Sequence, residues 1–247
     1  MKSQLVVNDN LINYYDFGST NQQAIILLHG WRSQALIWEK IIEELRANYR
    51  VIAIDLPGFG LSPVPAKPFT LDDYAETVEA LCQKLKINNF ILVGHSFGGR
   101  VSIKIAIKHP TKVKKLILVD SAGIKRERKI IGGLARLFKP IFKQKIMDGA
   151  RNKIYQAIGS EDYLATPKLQ KTYQNIVAED LSSYLCDIKL PTLIIWGEND
   201  KDTPLSDAKL MNRDIKNSKL EIIKNAGHFS FIDQPESFNK ILSDFLK

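Results

Sequence analysis

The sequence predicts an α/β fold: a mostly parallel, eight-stranded sheet with helices on both faces and a helical insert after the sixth strand. Three observations carry this. Short β-branched apolar runs alternate with helix-period segments along most of the chain. Those runs are apolar at nearly every position rather than at every second one, as strands buried on both faces require. The alternation fails once, between Val119 and Thr192, where helical patterning replaces it.

Taken in order, Leu5 to Val7 and Leu11 to Phe17, split by Asn8-Asp9-Asn10, read as an antiparallel hairpin at the sheet edge. Ala24 to Leu28, Tyr49 to Ile54, Phe90 to Val93, Leu116 to Val119, Thr192 to Trp196 and Leu220 to Ile223 supply the other strands. Crossover helices are expected from near Thr70 to about Leu85, Phe97 to Lys108, Leu205 to Ile215 and Pro235 to Leu246. Thr70 with Asp73 three residues on resembles a capping box, which marks the first of these starts. The insert is placed from about Gly123 to Leu185, so residues 1–122 and 186–247 form the core domain and residues 123–185 a helical cap. Ligands bind at the carboxyl ends of strands in open α/β sheets, so an insert there roofs the site.

Composition narrows the function classes. A chain of 247 residues with 45% hydrophobic and 25% charged residues is an ordinary globular protein with one core, which excludes long disorder. No run of about 18 apolar residues exists, so no membrane-spanning helix is expected. Met1 to Asp9 turns polar without the apolar stretch of a secretion signal, and a cytoplasmic location is expected. Cys82 and Cys186 sit in no pairing or metal-ligand pattern and read as buried reduced thiols.

The net charge of +8 is unevenly spread: from Ile124 to Asp180, twelve Lys and Arg face six acids, so that segment carries +6 of it. Such a patch suits an acidic substrate, anionic lipid, nucleic acid or plain solvent. No helix-turn-helix, zinc or OB signature accompanies it, so no nucleic-acid partner is expected. Within the insert, Leu134, Leu137, Phe138, Ile141 and Phe142 recur at helical spacing among Arg136, Lys139, Lys143 and Lys145, with Pro140 set to kink the helix. That face is expected to pack on the core and line the pocket through Phe138; weak contact with an anionic surface is the lesser alternative.

The strongest local signal is Gly94-His95-Ser96-Phe97-Gly98, between an expected strand and an expected helix, which is the context a G-x-S-x-G nucleophile elbow needs. A serine on so sharp a turn projects its hydroxyl, and glycines two before and two after it carry no Cβ to clash. A neutral serine needs a base. Of His29, His95, His109 and His228, the last lies in the loop after the final strand and fits the chain order Ser, Asp, His. His95 should point away from Ser96, and His29 looks like a loop-shaping residue. Asp200 is the expected acid, with Glu198, Asp202 and Asp120 as alternatives. The oxyanion donors expected are the backbone N–H groups of Phe97 and Trp31. The Trp31 indole and Phe229 are expected to line the pocket.

The chain resembles the α/β-hydrolase superfamily, in the group of capped serine esterases, C–C bond hydrolases and cofactor-free haloperoxidase-like enzymes. The resemblance rests on His29-Gly30-Trp31, Asp55-Leu56-Pro57-Gly58-Phe59-Gly60-Leu61-Ser62, the elbow, Gly197-Glu198-Asn199-Asp200 and Gly227-His228-Phe229. It implies an α/β-hydrolase fold and a structural role for the Asp55 loop. Ser96 departs from the aspartate nucleophile of the fold's dehalogenases and epoxide hydrolases. The residues point to a small-molecule acyl substrate, hydrolysed through Ser96, His228 and Asp200 with no cofactor and no metal. The rival readings are C–C bond hydrolysis and slow-turnover ligand sensing.

Overall fold

The chain opens on a hairpin whose turn residues, Asn8 and Asp9, both have positive φ, 47° and 61°. That turn twists in the same sense as the strands it joins, β1 (Lys2–Val7) and β2 (Asn10–Phe17). This is a computed structural model, and it describes residues 1–18, 22–125 and 161–247. β2 pairs antiparallel with β4 (Arg50–Ile54), and every later pairing is parallel. β4 lies beside β3 (Ala24–Leu28), followed by β5 (Phe90–His95), β6 (Val113–Val119), β7 (Thr192–Gly197) and β8 (Ser218–Ile223). The sheet order is β1-β2-β4-β3-β5-β6-β7-β8.

Successive side chains of the central strands enter opposite cores, as a strand's period of two demands. Ile26, Leu28 and Leu92 meet α2 (Leu71–Lys84), α3 (Phe97–Lys108) and α6 (Leu205–Asp214). Ile25, Leu27 and Val93 meet α1 (Glu39–Leu45) and α8 (Pro235–Leu246) on the other side. Covered on both faces, β3, β4, β5 and β7 are buried at every position, which is why their sequences carry no polar alternation. α2 begins with the Thr70 capping box: the Asp73 N–H donates to Thr70 Oγ1, and Asp73 Oδ2 accepts from the Thr70 N–H at 2.7 Å.

Helix α1 is absent from the sequence reading although Trp38, Ile41, Ile42 and Leu45 are spaced for it. Its start carries no local stop signal: neither it nor the 3-10 turn before it (Ala35–Trp38) has a capping side chain at its N-terminus. The cap comes from elsewhere in the chain. Asp55 Oδ1 accepts from the Ala35 N–H at 2.6 Å, and Oδ2 accepts from Asn13 Nδ2 and the Leu61 N–H, both at 2.9 Å. One buried carboxylate thus joins β2, the 3-10 turn and the loop after β4.

Between β6 and β7 the described residues form only helices: α4 (Glu161–Ala165), α5 (Gln170–Ala178) and 3-10 turns at Pro167–Leu169 and Ser182–Asp187. This arm is tied to the core by buried polar groups. Arg100 Nη1 donates to the carbonyls of Ile176 and Glu179, both at 2.9 Å, and Lys104 Nζ bridges Asp72 and Glu179 at 3.1 and 2.8 Å. Cys82 is buried in α2, where desolvation pushes its thiol up to about 12. Cys186 is a correction to the sequence reading: it is exposed, because the turn that buries Leu185 rotates the next side chain outward.

Replacing Asp55 by Ala strands three buried or half-buried N–H donors at once. The expected cost is about 3 kcal/mol of unfolding free energy, read as a lower urea midpoint at unchanged slope.

Candidate active site

Ser96 occupies the turn from β5 into α3 with φ 51° and ψ −113°, a conformation L-residues rarely adopt. A Cβ on Gly94 would overlap Ser102 Oγ and the Gly98 carbonyl, and one on Gly98 would overlap the Leu28 and His29 carbonyls. Both glycines therefore follow from the closeness of strand and helix. Both Ser96 backbone groups are bonded: its N–H donates to Val119 O at 3.1 Å, and its carbonyl accepts from the Gly99 and Ala122 N–H groups.

His228 reaches this serine from the loop between β8 and α7 (Ser230–Asp233). Its Nε2 lies 3.0 Å from Ser96 Oγ, and its Nδ1 lies 2.9 Å from Asp200 Oδ2. Asp200 sits after β7 and accepts from Thr203 Oγ1 at 2.6 Å and from the N–H groups of Asp202 and Thr203 at 2.8 and 2.9 Å. Of the four acids considered from sequence, Asp200 is the one hydrogen-bonded to the imidazole. Glu198 and Asp202 are exposed. Asp120, at the end of β6, is fully buried and bonds Gly197 and Ser230 instead.

The charges follow from these contacts. Burial by itself would lower the His228 pKa, but the Asp200 hydrogen bond and the charges of Asp200, Asp120 and Asp202 outweigh it, and the imidazole is raised above its usual 6.5. For Asp200 burial acts upward, yet the donors His228 and Thr203 hold the carboxyl below the usual range. His95 does turn from Ser96: its Nε2–H donates to the His228 carbonyl at 2.7 Å, and burial drops its pKa to about 3, keeping the ring neutral. Nothing in the sequence marks this second link between elbow and base loop, since the partner is a backbone carbonyl far along the chain. His29 shapes its loop as expected, with Nε2 accepting from the Leu56 N–H at 3.0 Å and Nδ1 donating to the Gly30 carbonyl.

Ser96 and His228 open into a cleft of about 1210 Å³. Trp31, Phe97 and Phe229 line it together with Ser96 and His228. Trp31 and Phe97 pack edge to face at 5.2 Å, and neither backbone N–H donates a hydrogen bond among the described residues. Tyr163 and Tyr173, from α4 and α5, also line the cleft, with Tyr173 edge to face on Trp31 at 5.3 Å, and carry no sequence signal of that role. Phe138 and the surrounding apolar and basic positions of residues 134–145 lie outside the described residues.

Among the described residues one trio, Asp200, Asp202 and His228, brings metal-capable atoms within 4.8 Å of one another. The Asp200 and His228 atoms of that trio face each other in a hydrogen bond, and Asp200 is filled by N–H and O–H donors, which is the environment of an imidazole orienter rather than of a cation.

A family model described as alpha/beta hydrolase fold matches residues 23–157 and 149–235. The AB hydrolase superfamily protein YisY of Bacillus subtilis (strain 168) is 30% identical over 249 residues, which cover 90% of each chain. A pimeloyl-(acyl-carrier protein) methyl ester esterase of Aeromonas hydrophila is 30% identical over 247 residues, 90% of this chain and 94% of that one. Among solved structures, a bacterial membrane phospholipase A superposes with a TM-score of 0.81 at 26% identity, covering 100% of this chain and 85% of that one.

Asp200→Asn separates the two influences on the imidazole. With the carboxylate gone, burial dominates, so the His228 Cε1–H resonance should titrate below 6.5 by NMR, against above 6.5 in the unaltered protein.

Proposed function

The chain belongs to the α/β-hydrolase fold family, and from that premise we propose that it is a serine hydrolase, a carboxylesterase for small to medium acyl esters. Ser96 is the nucleophile, His228 the general base and Asp200 the residue that orients it. The observation that carries the reading is the unbroken series from Ser96 Oγ through the imidazole to the Asp200 carboxylate, at 3.0 and 2.9 Å, opening into one cleft. The esterase relative supports the choice of an ester bond.

In the first step, His228 Nε2 takes the Ser96 proton as Oγ attacks the ester carbonyl. The two backbone N–H groups of Trp31 and Phe97 then face the tetrahedral oxyanion, each such donor contributing about 3 kcal/mol. The N-terminus of α3 adds positive potential at the same point. Asp200 holds Nδ1 protonated, so that Nε2 is free to accept, and stabilises the imidazolium that forms. The imidazolium returns its proton to the leaving alkoxide, leaving an acyl-serine. Water, deprotonated by the same Nε2, attacks the acyl carbonyl and releases the acid with Ser96 restored.

Residues 123–185 are the cap of this reading and select the acyl group. The helices of residues 161–187 support it, since their aromatic residues Tyr163 and Tyr173 share the cleft with Ser96.

Two measurements test the reading. Purified protein should hydrolyse p-nitrophenyl esters in a series from acetate to laurate, and Ser96→Ala should lose about 10³-fold or more in kcat while keeping its far-UV spectrum. Silence of the unaltered protein across the series would favour C–C bond cleavage instead. Because only the neutral imidazole accepts a proton, and its pKa is raised, kcat/KM should climb through an acid limb centred above pH 6.5. An acid limb below 6.5 would contradict the role given to His228.

A further inference from the structure

A second carboxylate lies beneath the site and takes no part in the steps above. Asp120 directly follows β6 with φ 44°, a left-handed conformation in a non-glycine residue, and it has no solvent exposure. Its two oxygens face two different loops. Oδ1 accepts from the Gly197 N–H at 2.7 Å, three residues before Asp200. Oδ2 accepts from Ser230 Oγ at 2.6 Å and from the Ser230 N–H at 3.2 Å, two residues after His228. The Asp120 carbonyl also lies 3.1 Å from Thr203 Oγ1, the hydroxyl bonded to Asp200.

We propose that Asp120 is a positioning residue of this site: its buried carboxyl group ties the Asp200 loop to the His228 loop. The proposal rests on the serine-hydrolase reading and adds to it the element that sets its geometry. The two loops come from chain segments 28 residues apart, and their relative position sets the 2.9 Å contact between His228 and Asp200. A buried carboxyl group with three hydrogen-bond donors is a stiff link, because breaking any one strands a polar group out of water. Positioning errors of an ångström are costly at a general base, so the link should be felt in kcat rather than in substrate binding.

The charge has the same target. The negative groups acting on His228 are Asp200, Asp120 and Asp202, while His95, its ring tilted against the imidazole at 4.8 Å, stays neutral. Asp162 and Asp207 lie along the same cleft, as do the cations Arg32, Arg100 and Lys125. Burial raises the Asp120 carboxyl to about 7 against its Ser230 and Gly197 donors, so its charge is present above that pH; removing it leaves Asp200 and Asp202 in place and lowers the imidazole pKa.

The test compares Asp120→Asn, Ser230→Ala and the double variant in two readouts: kcat and KM on a p-nitrophenyl ester, and the NMR titration of His228, assigned by its loss in His228→Gln. Asp120→Asn should lower the His228 pKa by about half a unit and kcat by about tenfold, with KM within about twofold. Ser230→Ala keeps the charge, so it should lower kcat by about threefold and leave the titration in place. The double variant should be no worse than Asp120→Asn, because both act through one link. An unmoved titration with kcat within twofold in Asp120→Asn overturns the proposal, as do fully additive losses. If Asp120→Asn does not fold, Ser230→Ala decides it: wild-type kcat overturns the link, and a lowered kcat at unchanged KM supports it. Failure of the unaltered protein to turn over esters or to be labelled at Ser96 by a fluorophosphonate sinks the serine-hydrolase reading instead, and the titration then decides the link between Asp120 and His228.

Discussion

A serine held at φ 51° and ψ −113° costs about 1–3 kcal/mol, and the turn between β5 and α3 stays there because its surroundings leave no other conformation. Helix α3 approaches the sheet so closely that only glycine fits at positions 94 and 98, and the Ser96 backbone is bonded to both β6 and its own helix. Backbone contacts thereby aim the Ser96 side chain, and its hydroxyl meets His228 Nε2 at 3.0 Å. Each other feature of the site is a way of bringing a partner to that fixed point. β5 lies between β3 and β6, so the loop after β3 can bring Trp31 alongside the elbow, and the loops after β7 and β8 bring Asp200 and His228.

Three buried or half-buried histidines show how neighbours rather than burial decide protonation. Burial pushes all three towards the neutral form. His29 and His95 meet backbone carbonyls, which offset little of this, and fall to about 4 and about 3. His228 meets a carboxylate and is raised. The two neutral rings serve as fixed hydrogen-bonding struts, and the charged environment of the third gives it a proton to exchange near neutral pH.

The described residues that lead into β7 are held by cations from α3, the helix that starts after Ser96. Arg100 lies four residues beyond Ser96 and takes two carbonyls at the end of α5; Lys104, one turn further, takes the Glu179 and Asp72 carboxylates. A buried guanidinium bonded to carbonyls makes that attachment costly to break, since the charge would be left unpaired. The wall of the cleft bearing Tyr163 and Tyr173 is for that reason registered to the nucleophile through one rigid helix.

The sequence by itself determined the layered α/β fold and the strand–serine–helix turn, because continuous apolar runs and a glycine-flanked serine leave local marks, and its motif order singled out Asp200 and His228 as the side chains to meet Ser96. It also determined the capping box at Thr70, whose partners lie three residues apart. Tertiary structure decided whatever depends on partners distant in sequence. Helix α1 is capped by Asp55, the His228 carbonyl is held by His95, and the two catalytic-site loops are joined by Asp120, none of which periodicity or local spacing can encode. The exposure of Cys186 was likewise settled only when Leu185 took the inward position of its turn. Hydrogen bonds between segments a hundred residues apart follow from the sheet order, and that order is chosen by the packing of the whole chain rather than by any one stretch of it.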